Sequence, residues 1–278
     1  MAVVFGPGGN SQSFYDEGHK HTWEAPEWVA GRGLELYEYQ GGNGIVGSEE
    51  NFRKIGERAK AAGVTLSLHA PYFISLSGLE TEKRLNSLNY IRKSLDAARW
   101  MGADIIVIHT GSAAKMTREE AMRLASDTLY KACESLDGYD GIAWGLETMG
   151  KVNQLGTVEE VLELCRLDAR LRPVVDYGHL NARSLGGLFT TADDYRRLFD
   201  KLGDYTEKLH CHFSKIEYTK AGEKKHLTFA DTVWGPPYEP LMEAAYADGL
   251  NLRIICESDG TMAEDAAAMQ RCYRQMQK

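Results

Sequence analysis

The sequence lacks the features that would direct it into or across a membrane. No segment approaches the roughly 18 consecutive apolar residues that a membrane-spanning helix needs. The N-terminal residues MAVVFGPGGNSQSF contain no basic stretch followed by an apolar one, so a secretory signal is not expected. We therefore predict a cytoplasmic protein that does not bind membranes.

Cysteine is scarce, and its spacing argues against a zinc-thiolate finger. The five cysteines are odd in number and form no CxxC pair. We expect reduced, mostly buried thiols, as in a protein of a reducing compartment.

The composition also lacks the basic excess of a general nucleic-acid-binding protein. The chain carries 32 Lys and Arg against 40 Asp and Glu, a net charge of -8. This balance argues against a broad basic surface, but it allows a local basic patch or a metal cluster that attracts phosphate. The 43% hydrophobic and 26% charged residues are globular values, which exclude a disordered chain.

No linker or low-complexity run divides the chain, and short β-rich runs alternate with longer amphipathic helical patterns. The β-rich runs have the composition of strands that are buried on both faces. They are Val3–Phe5, Leu34–Tyr39, Val64–His69, Ile105–His109, Ile142–Glu147, Pro173–Asp176, Lys208–Phe213 and Leu252–Glu257. This alternation predicts an α/β fold, a (β/α)8 TIM barrel in which residues 1–278 form a single domain. An open doubly wound sheet is the alternative, but no GxGxxG motif follows the first run.

Imidazole and carboxylate side chains end six successive predicted strands. They are His69, His109, Glu147, Asp176 with His179 three residues on, the pair His210 and His212, and Glu257. The C-terminal ends of barrel strands meet at one mouth, where the active site of such barrels lies. Buried there together, these groups would be costly to desolvate unless cations neutralise them. Lys and Arg, which could supply that charge, are almost absent from these strand ends.

Bound divalent cations are the simplest answer to this concentration of ligands. Mixed imidazole and carboxylate ligands suit Zn²⁺, with Mn²⁺ or Fe as alternatives. More than four ligands predict more than one ion, an arrangement typical of phosphoester chemistry. Glu147 lies on the fifth strand, between the His-bearing and acid-bearing strands, so we predict that it bridges two ions and is the catalytic carboxylate.

Six short motifs follow one another in order along most of the chain. They are HAPY at 69–72, HTGS at 109–112, LETMG at 146–150, DYGH at 176–179, HxxxSK at 210–215 and CE at 256–257. From about residue 64 to the end, they resemble endonuclease IV, the family 2 abasic-site endonucleases. The resemblance implies a TIM barrel with three clustered metal ions, usually zinc. It also implies base-excision repair, in which a hydroxide shared by metal ions cleaves double-stranded DNA on the 5′ side of abasic sites.

The resemblance also implies a distribution of ligands over three ions. The first ion would bind His69, His109 and Glu147. The second would bind Glu147, Asp176, His210 and Glu257, and the third His179, His226 and one further acid. At that acid the sequence departs from the family, which has Asp two residues before the last His, where this chain has Lys224. Glu223 and His212 are the candidate substitutes.

Candidate DNA contacts lie beside the predicted mouth. The resemblance places Tyr72 next to the abasic pocket and implies that Phe73 helps to open the duplex, although both rings could instead pack the barrel top. Lys215, Lys224 and Lys225 belong to a local basic loop, for which contact with the phosphate backbone and plain solvation are equal interpretations.

Two other functions remain open at this point. Sugar isomerases or epimerases also resemble the sequence, and they hold one ion with four ligands that Glu147, Asp176, His210 and Glu257 could supply. Such an enzyme would not need both His69 and His109 as ligands. A non-catalytic DNA- or sugar-binding barrel that has lost the third ion is the other possibility, because of Lys224. We expect a monomer in each case.

Overall fold

Eight parallel strands form the central sheet of the computed structural model, which describes residues 3–277. They are β1 (Val4–Pro7), β2 (Leu36–Gln40), β3 (Thr65–His69), β4 (Ile105–His109), β5 (Ala143–Glu147), β6 (Leu171–Asp176), β7 (Leu209–Phe213) and, after a hairpin, β10 (Leu252–Cys256). Their order is β1-β10-β7-β6-β5-β4-β3-β2. The two strands at the ends of this order, β1 and β2, also meet. The backbone N–H of Glu35 donates to Phe5 O at 3.0 Å, and Gly8 forms a β-bridge with Glu38. The sheet therefore forms a nearly closed barrel, which confirms the predicted TIM fold.

Helices lie between successive strands and cover the outside of the barrel. They are α1 (Gln12–Asp16), α2 (Ala25–Gly31), α3 (Glu49–Ala62), α4 (Thr81–Met101), α5 (Arg118–Ser135), α6 (Val158–Cys165), α7 (Tyr177–Arg183), α8 (Ala192–Leu202), α9 (Glu239–Ala247) and α10 (Met262–Met276). Local chemistry sets their ends. Ser48 Oγ accepts from Asn51 N at the start of α3, and the helix stops at Gly63, whose φ of 72° is left-handed. Within residues 3–277, no helix is both long and apolar enough to cross a bilayer.

The predicted strands agree with the observed ones to within one or two residues at each end. The segment predicted as a basic loop differs, because it forms a β-hairpin. Its strands are β8 (Lys215–Thr219) and β9 (Gly222–Leu227), which pair antiparallel. This hairpin follows β7 directly and stands over the C-terminal mouth of the barrel.

The main apolar core fills the layer between the barrel and its helices. Inside the barrel the apolar content is small, with one cluster made by Ile105, Val107 and Val174. The rest of the interior includes fully or almost fully buried polar side chains, among them Glu38, His210 and His212. The barrel axis is therefore polar near the mouth, which is where the candidate site lies.

Candidate metal centre

Most of the predicted ligands converge on one cavity at the C-terminal mouth of the barrel. Its volume is about 440 Å³, and its lining includes His69, His109, Glu147, His179 and Glu257. His69, His109 and Glu147 end their strands, Glu257 directly follows β10, and His179 lies in the first turn of α7 after β6. Period-two alternation points the strand-end residues inward, and the parallel strands bring them to the same height.

Glu147 lies at the centre of the cluster, and its side chain is fully buried. Its Oε2 is 3.4 Å from His69 Nε2 and 3.1 Å from His109 Nε2. Its Oε1 is 2.9 Å from His212 Nδ1 and 3.5 Å from His179 Nδ1. Burial alone would raise the pKa of this carboxyl, but the surrounding imidazoles, His212 first, hold the pKa well below its usual range.

Nine residues form three adjacent groups. Within each group, the potential ligand atoms all lie within 4.8 Å of one another. The groups are His69, His109 and Glu147; Glu147, Asp176, His212 and Glu257; and His179, Glu223 and His226. Glu147 belongs to the first two groups, as a bridging carboxylate would. His69, His212 and Glu257 form a further overlapping group. The arrangement offers three neighbouring positions for cations.

Backbone and hydroxyl partners orient three of the histidine rings. The Nδ1 of His69 is 2.8 Å from Ala70 O, and the Nδ1 of His179 is 3.0 Å from Thr148 O. The Nδ1 of His226 is 2.8 Å from Ser214 Oγ. A proton on the Nδ1 of His69 or His179 leaves that ring's Nε2 as the free lone pair, the form in which imidazole binds a metal.

Without a cation, burial and the neighbouring charges shift the pKa values of two residues in the cluster, His179 and Asp176. Burial lowers the pKa of His179, but Asp176, Glu223 and Glu147 outweigh it and raise the pKa to about 9. Burial raises the pKa of Asp176 above its ordinary value. The imidazole of His179 therefore carries a proton at neutral pH when no cation neutralises these acids.

His210 does not join the groups around Glu147, although the resemblance gave it to the second ion. Its Nε2 is 2.9 Å from Glu38 Oε2, and both side chains are buried inside the barrel. His212, two residues further along β7, is the one that groups with Glu147, Asp176 and Glu257. Both face inward, but a two-residue step of about 6.6 Å along a strand separates them in depth.

Glu223 takes the position of the acid that the sequence lacks at Lys224. Its Oε2 is 3.5 Å from His179 Nε2, and its Oε1 is 3.9 Å from His226 Nε2. The pairing of β8 with β9 shifts by one residue between Glu217 and Tyr218, which leaves Lys224 as an extra, bulged residue. The bulge therefore brings Glu223 to the same face as His226.

The predicted DNA-contacting residues lie around the mouth, and they differ in their exposure and in their contacts. Tyr72 is 52% exposed and Phe73 48% exposed, so neither ring packs inside the barrel top. Tyr72 stacks on His109 with ring centroids 5.1 Å apart. Lys215 Nζ donates to the backbone oxygens of Phe229 and Asp231, and therefore holds a loop of this chain.

The other two predicted cationic contacts share one acidic neighbour. Lys224 Nζ is 2.6 Å from Glu217 Oε1, and Lys225 Nζ is 3.9 Å from Glu217 Oε2. Both lysines therefore lie on a hairpin face where Glu217 offsets part of their charge, away from Glu223 and His226. Lys151 and Gln154, which the sequence did not single out, line the cavity itself.

Glu38 is a functional candidate that the sequence did not reveal. It lies in β2 within LYEYQ, where a fully buried acid contacts both His210 and His212. The available signal was a charged residue in the middle of a short buried strand. Its two partners lie more than 170 positions away in the sequence, so only the folded chain identifies them.

Comparison with known proteins places these observations in context. The sequence pattern of the family described as xylose isomerase-like TIM barrel matches residues 27–275. An uncharacterized protein of Methanocaldococcus jannaschii is 26% identical over 282 residues, which cover 99% of this chain and 98% of its own. A probable endonuclease 4 of Acholeplasma laidlawii is 29% identical over 196 residues, 67% of this chain and 65% of its own.

Two solved structures illustrate the breadth of the fold. Endonuclease IV from Thermus thermophilus is similar with a TM-score of 0.63 and 17% identity, over 91% of this chain and 93% of its own. A D-tagatose 3-epimerase-like protein is similar with a TM-score of 0.67 and 20% identity, over 87% of this chain and 89% of its own. At these identities the likeness concerns the fold alone.

Proposed function

This chain belongs to the xylose isomerase-like TIM barrel family, and within it we propose a metal-dependent phosphodiester hydrolase that cleaves double-stranded DNA on the 5′ side of abasic sites. One observation carries the proposal: three adjacent ligand groups, two of them joined by Glu147, each contribute residues to the lining of one cavity. A one-metal enzyme needs only one such group. Several cations side by side suit a substrate that concentrates negative charge, such as a phosphodiester. The similarity to probable endonuclease 4 proteins supports the same choice.

The residues fit divalent cations by their chemistry. The three groups contain only imidazole nitrogens and carboxylate oxygens. Glu147 Oε2 and Asp176 Oδ2 are buried and find no hydrogen-bond partner among residues 3–277. Such atoms are costly to leave unpaired, and a cation would satisfy them. Imidazole and carboxylate together favour Zn²⁺, with Mn²⁺ or Fe as alternatives.

His69, His109, Glu147, Asp176, His179, His212, Glu223, His226 and Glu257 would hold these cations. When bound, divalent cations lower the pKa of water toward about 7 and neutralise charge on the phosphate and on the leaving oxygen. The side chains of Glu147 and His212 are fully buried, so the floor of the cavity excludes bulk water and strengthens the local electrostatics. Glu147 stays deprotonated beside its four imidazoles, which allows it to orient the attacking water through a carboxylate oxygen.

Residues at the cavity entrance suit the substrate. Tyr72 offers a half-exposed aromatic face beside His109, against which the abasic sugar or a neighbouring base could stack. Lys151 also lines the cavity and adds a cation beside the carboxylates, where it could contact a phosphate oxygen.

The direct test is a cleavage assay on a duplex that contains one tetrahydrofuran abasic mimic. We expect a single nick on the 5′ side of the mimic, no nick in the undamaged duplex, and loss of cleavage with chelator. Cleavage should return on adding Zn²⁺ or Mn²⁺. If purified, metal-loaded protein leaves the duplex intact, the proposal is wrong.

A sugar isomerase or epimerase that uses one ion is the second candidate. The observation in its favour is that Glu147, Asp176, His212 and Glu257 form a complete four-ligand group by themselves. Metal analysis separates the two functions. One equivalent of metal per chain, unchanged in His69→Ala, together with turnover of a ketohexose, would support the epimerase.

A further inference from the structure

Below the cavity floor, one buried carboxylate contacts three side chains from two strands, β3 and β7. Glu38 is fully buried, and its Oε2 accepts a hydrogen bond of 2.8 Å from Ser67 Oγ. The same oxygen is 2.9 Å from His210 Nε2. Its other oxygen, Oε1, is 3.1 Å from His212 Nε2. Glu38 therefore holds Ser67 and His210 with one oxygen. Its other oxygen lies beside His212 Nε2, which has no aligned hydrogen-bond partner in the described part of the chain.

His212 stands between this carboxylate and the metal centre. Its Nε2 faces Glu38, while its Nδ1 is 2.9 Å from Glu147 Oε1 and 3.5 Å from Glu257 Oε2. A neutral imidazole carries one proton and one lone pair, and a carboxylate oxygen accepts the proton. If Nδ1 binds a cation, the proton of the neutral ring lies on Nε2, and Glu38 Oε1 is the carboxylate oxygen 3.1 Å from that atom.

His210 lies deeper in the barrel than the groups around Glu147, although it forms a separate group of potential ligands with Glu38 and His212. Its Nε2 also faces Glu38, but its Nδ1 is buried without a hydrogen-bond partner in the described part of the chain. The ring is therefore placed to hold the carboxylate of Glu38 rather than to reach the cavity. Ser67, on β3, donates to the same Oε2 of Glu38.

We propose that Glu38 is a positioning residue of the metal centre, which holds the Nε2 proton of His212 so that Nδ1 faces a divalent cation. Glu38 acts through His212 and touches neither metal nor substrate. A carboxylate behind a metal-binding histidine fixes the ring orientation and increases its basicity. The inference rests on the metal centre of the proposed function, and it requires neither DNA as the substrate nor hydrolysis as the reaction.

Metal affinity tests the inference without any cleavage assay. The substitution Glu38→Gln keeps the shape but replaces one acceptor oxygen with an amide donor. We expect it to weaken binding of one ion by about 10- to 100-fold, measured with Zn²⁺ or Co²⁺ against a chromophoric chelator. Glu35→Gln is the matched control, because that acid lies just before the same strand and contacts Gln270 and Arg274 instead. The control should retain the affinity of the unmodified protein.

A spectroscopic measurement on the unmodified chain covers the case in which Glu38→Gln does not fold. In ¹⁵N-histidine NMR spectra of the Zn²⁺-loaded protein, His212 should carry its proton on Nε2 and show the metal-induced shift on Nδ1. A proton on Nδ1, or unchanged metal affinity in a folded Glu38→Gln, would overturn the inference. Weaker metal binding in the variant with no abasic-site cleavage by the parent would instead leave the inference standing and remove the proposed function.

Discussion

Glu223 and His226 lie three residues apart in β9, yet their side chains meet, with Oε1 of the acid 3.9 Å from Nε2 of the histidine. In a regular strand, residues three apart point to opposite faces. The bulge at Lys224 removes this conflict by adding one residue to β9 opposite β8. The hairpin therefore supplies an acid to the third ligand group, while Lys224 turns away to Glu217.

We expect Glu223→Ala to lower the metal content by about one ion per chain, because His179 and His226 alone make a poor site. The double variant Glu223→Ala/Lys224→Asp should not restore that ion, since the side chain at 224 points away from His226. Metal analysis by plasma emission after dialysis measures both. Recovery of the lost ion in the double variant would show that the bulge does not set the ligand.

Glu147→Gln should reduce cleavage of abasic DNA by about 100- to 1,000-fold or more, as removal of a central electrostatic group typically does. The amide cannot bridge two cations as a carboxylate does. The fold should persist, because the neighbouring imidazoles can lose their protons and become neutral. Circular dichroism and single-turnover nicking measure the two effects, and retained cleavage in an unstable variant would contradict the assignment.

The two histidines of β7, His210 and His212, should differ in how much metal-dependent cleavage depends on them. His212→Ala removes a ligand of the shared group and should abolish metal-dependent cleavage. His210→Ala removes only support for Glu38, for which we expect about a tenfold loss, in the range of outer partners of metal ligands. The comparison needs nicking rates and metal content for both variants. A larger loss for His210→Ala would restore the assignment implied by the sequence resemblance.

Metal affinity should increase with pH between about 6 and 8. The pKa of His179 in the metal-free site is raised to about 9, so below that pH the ring is protonated and a cation must displace the proton. Each displaced proton makes the affinity rise by up to about tenfold per pH unit. Calorimetric titration of Zn²⁺ in two buffers of different ionisation enthalpy reports the protons released. An affinity that does not vary with pH would exclude this linkage.

Tyr72→Ala should raise the KM for abasic DNA by about tenfold, since stacking on an aromatic ring contributes about 1–3 kcal/mol per base. Tyr72 is not among the ligand groups, so the metal content should not change. Tyr130→Ala is a suitable control, because that ring is similarly exposed on α5. Equal effects of the two substitutions would mean that Tyr72 has no special contact with the substrate.

Most of the barrel could be predicted from the sequence because its signals are local. Short runs of β-branched and aliphatic residues mark strands such as β4, and Ser48 and Gly63 mark the ends of α3. The residue types at the mouth of the barrel could also be predicted. Residues such as His69, Glu147 and Asp176 end their strands, and every strand of a parallel barrel delivers its end to the same rim.

The remaining parts of the site depend on contacts that the sequence does not contain. Whether His210 or His212 reaches Glu147 is a question of depth along the axis, which the pairing of β7 with β6 and β10 decides. The role of Glu223 depends on how β8 pairs with β9.

The sequence by itself determined the parallel barrel and the kinds of side chain at its mouth, since both follow from composition and from the two-residue period of a strand. Only the tertiary structure decided which nitrogen, which oxygen and which neighbour face one another. Glu38 shows why: its contacts with His210 and His212 join residues that are far apart in the chain, and their geometry is set by the closure of the whole barrel.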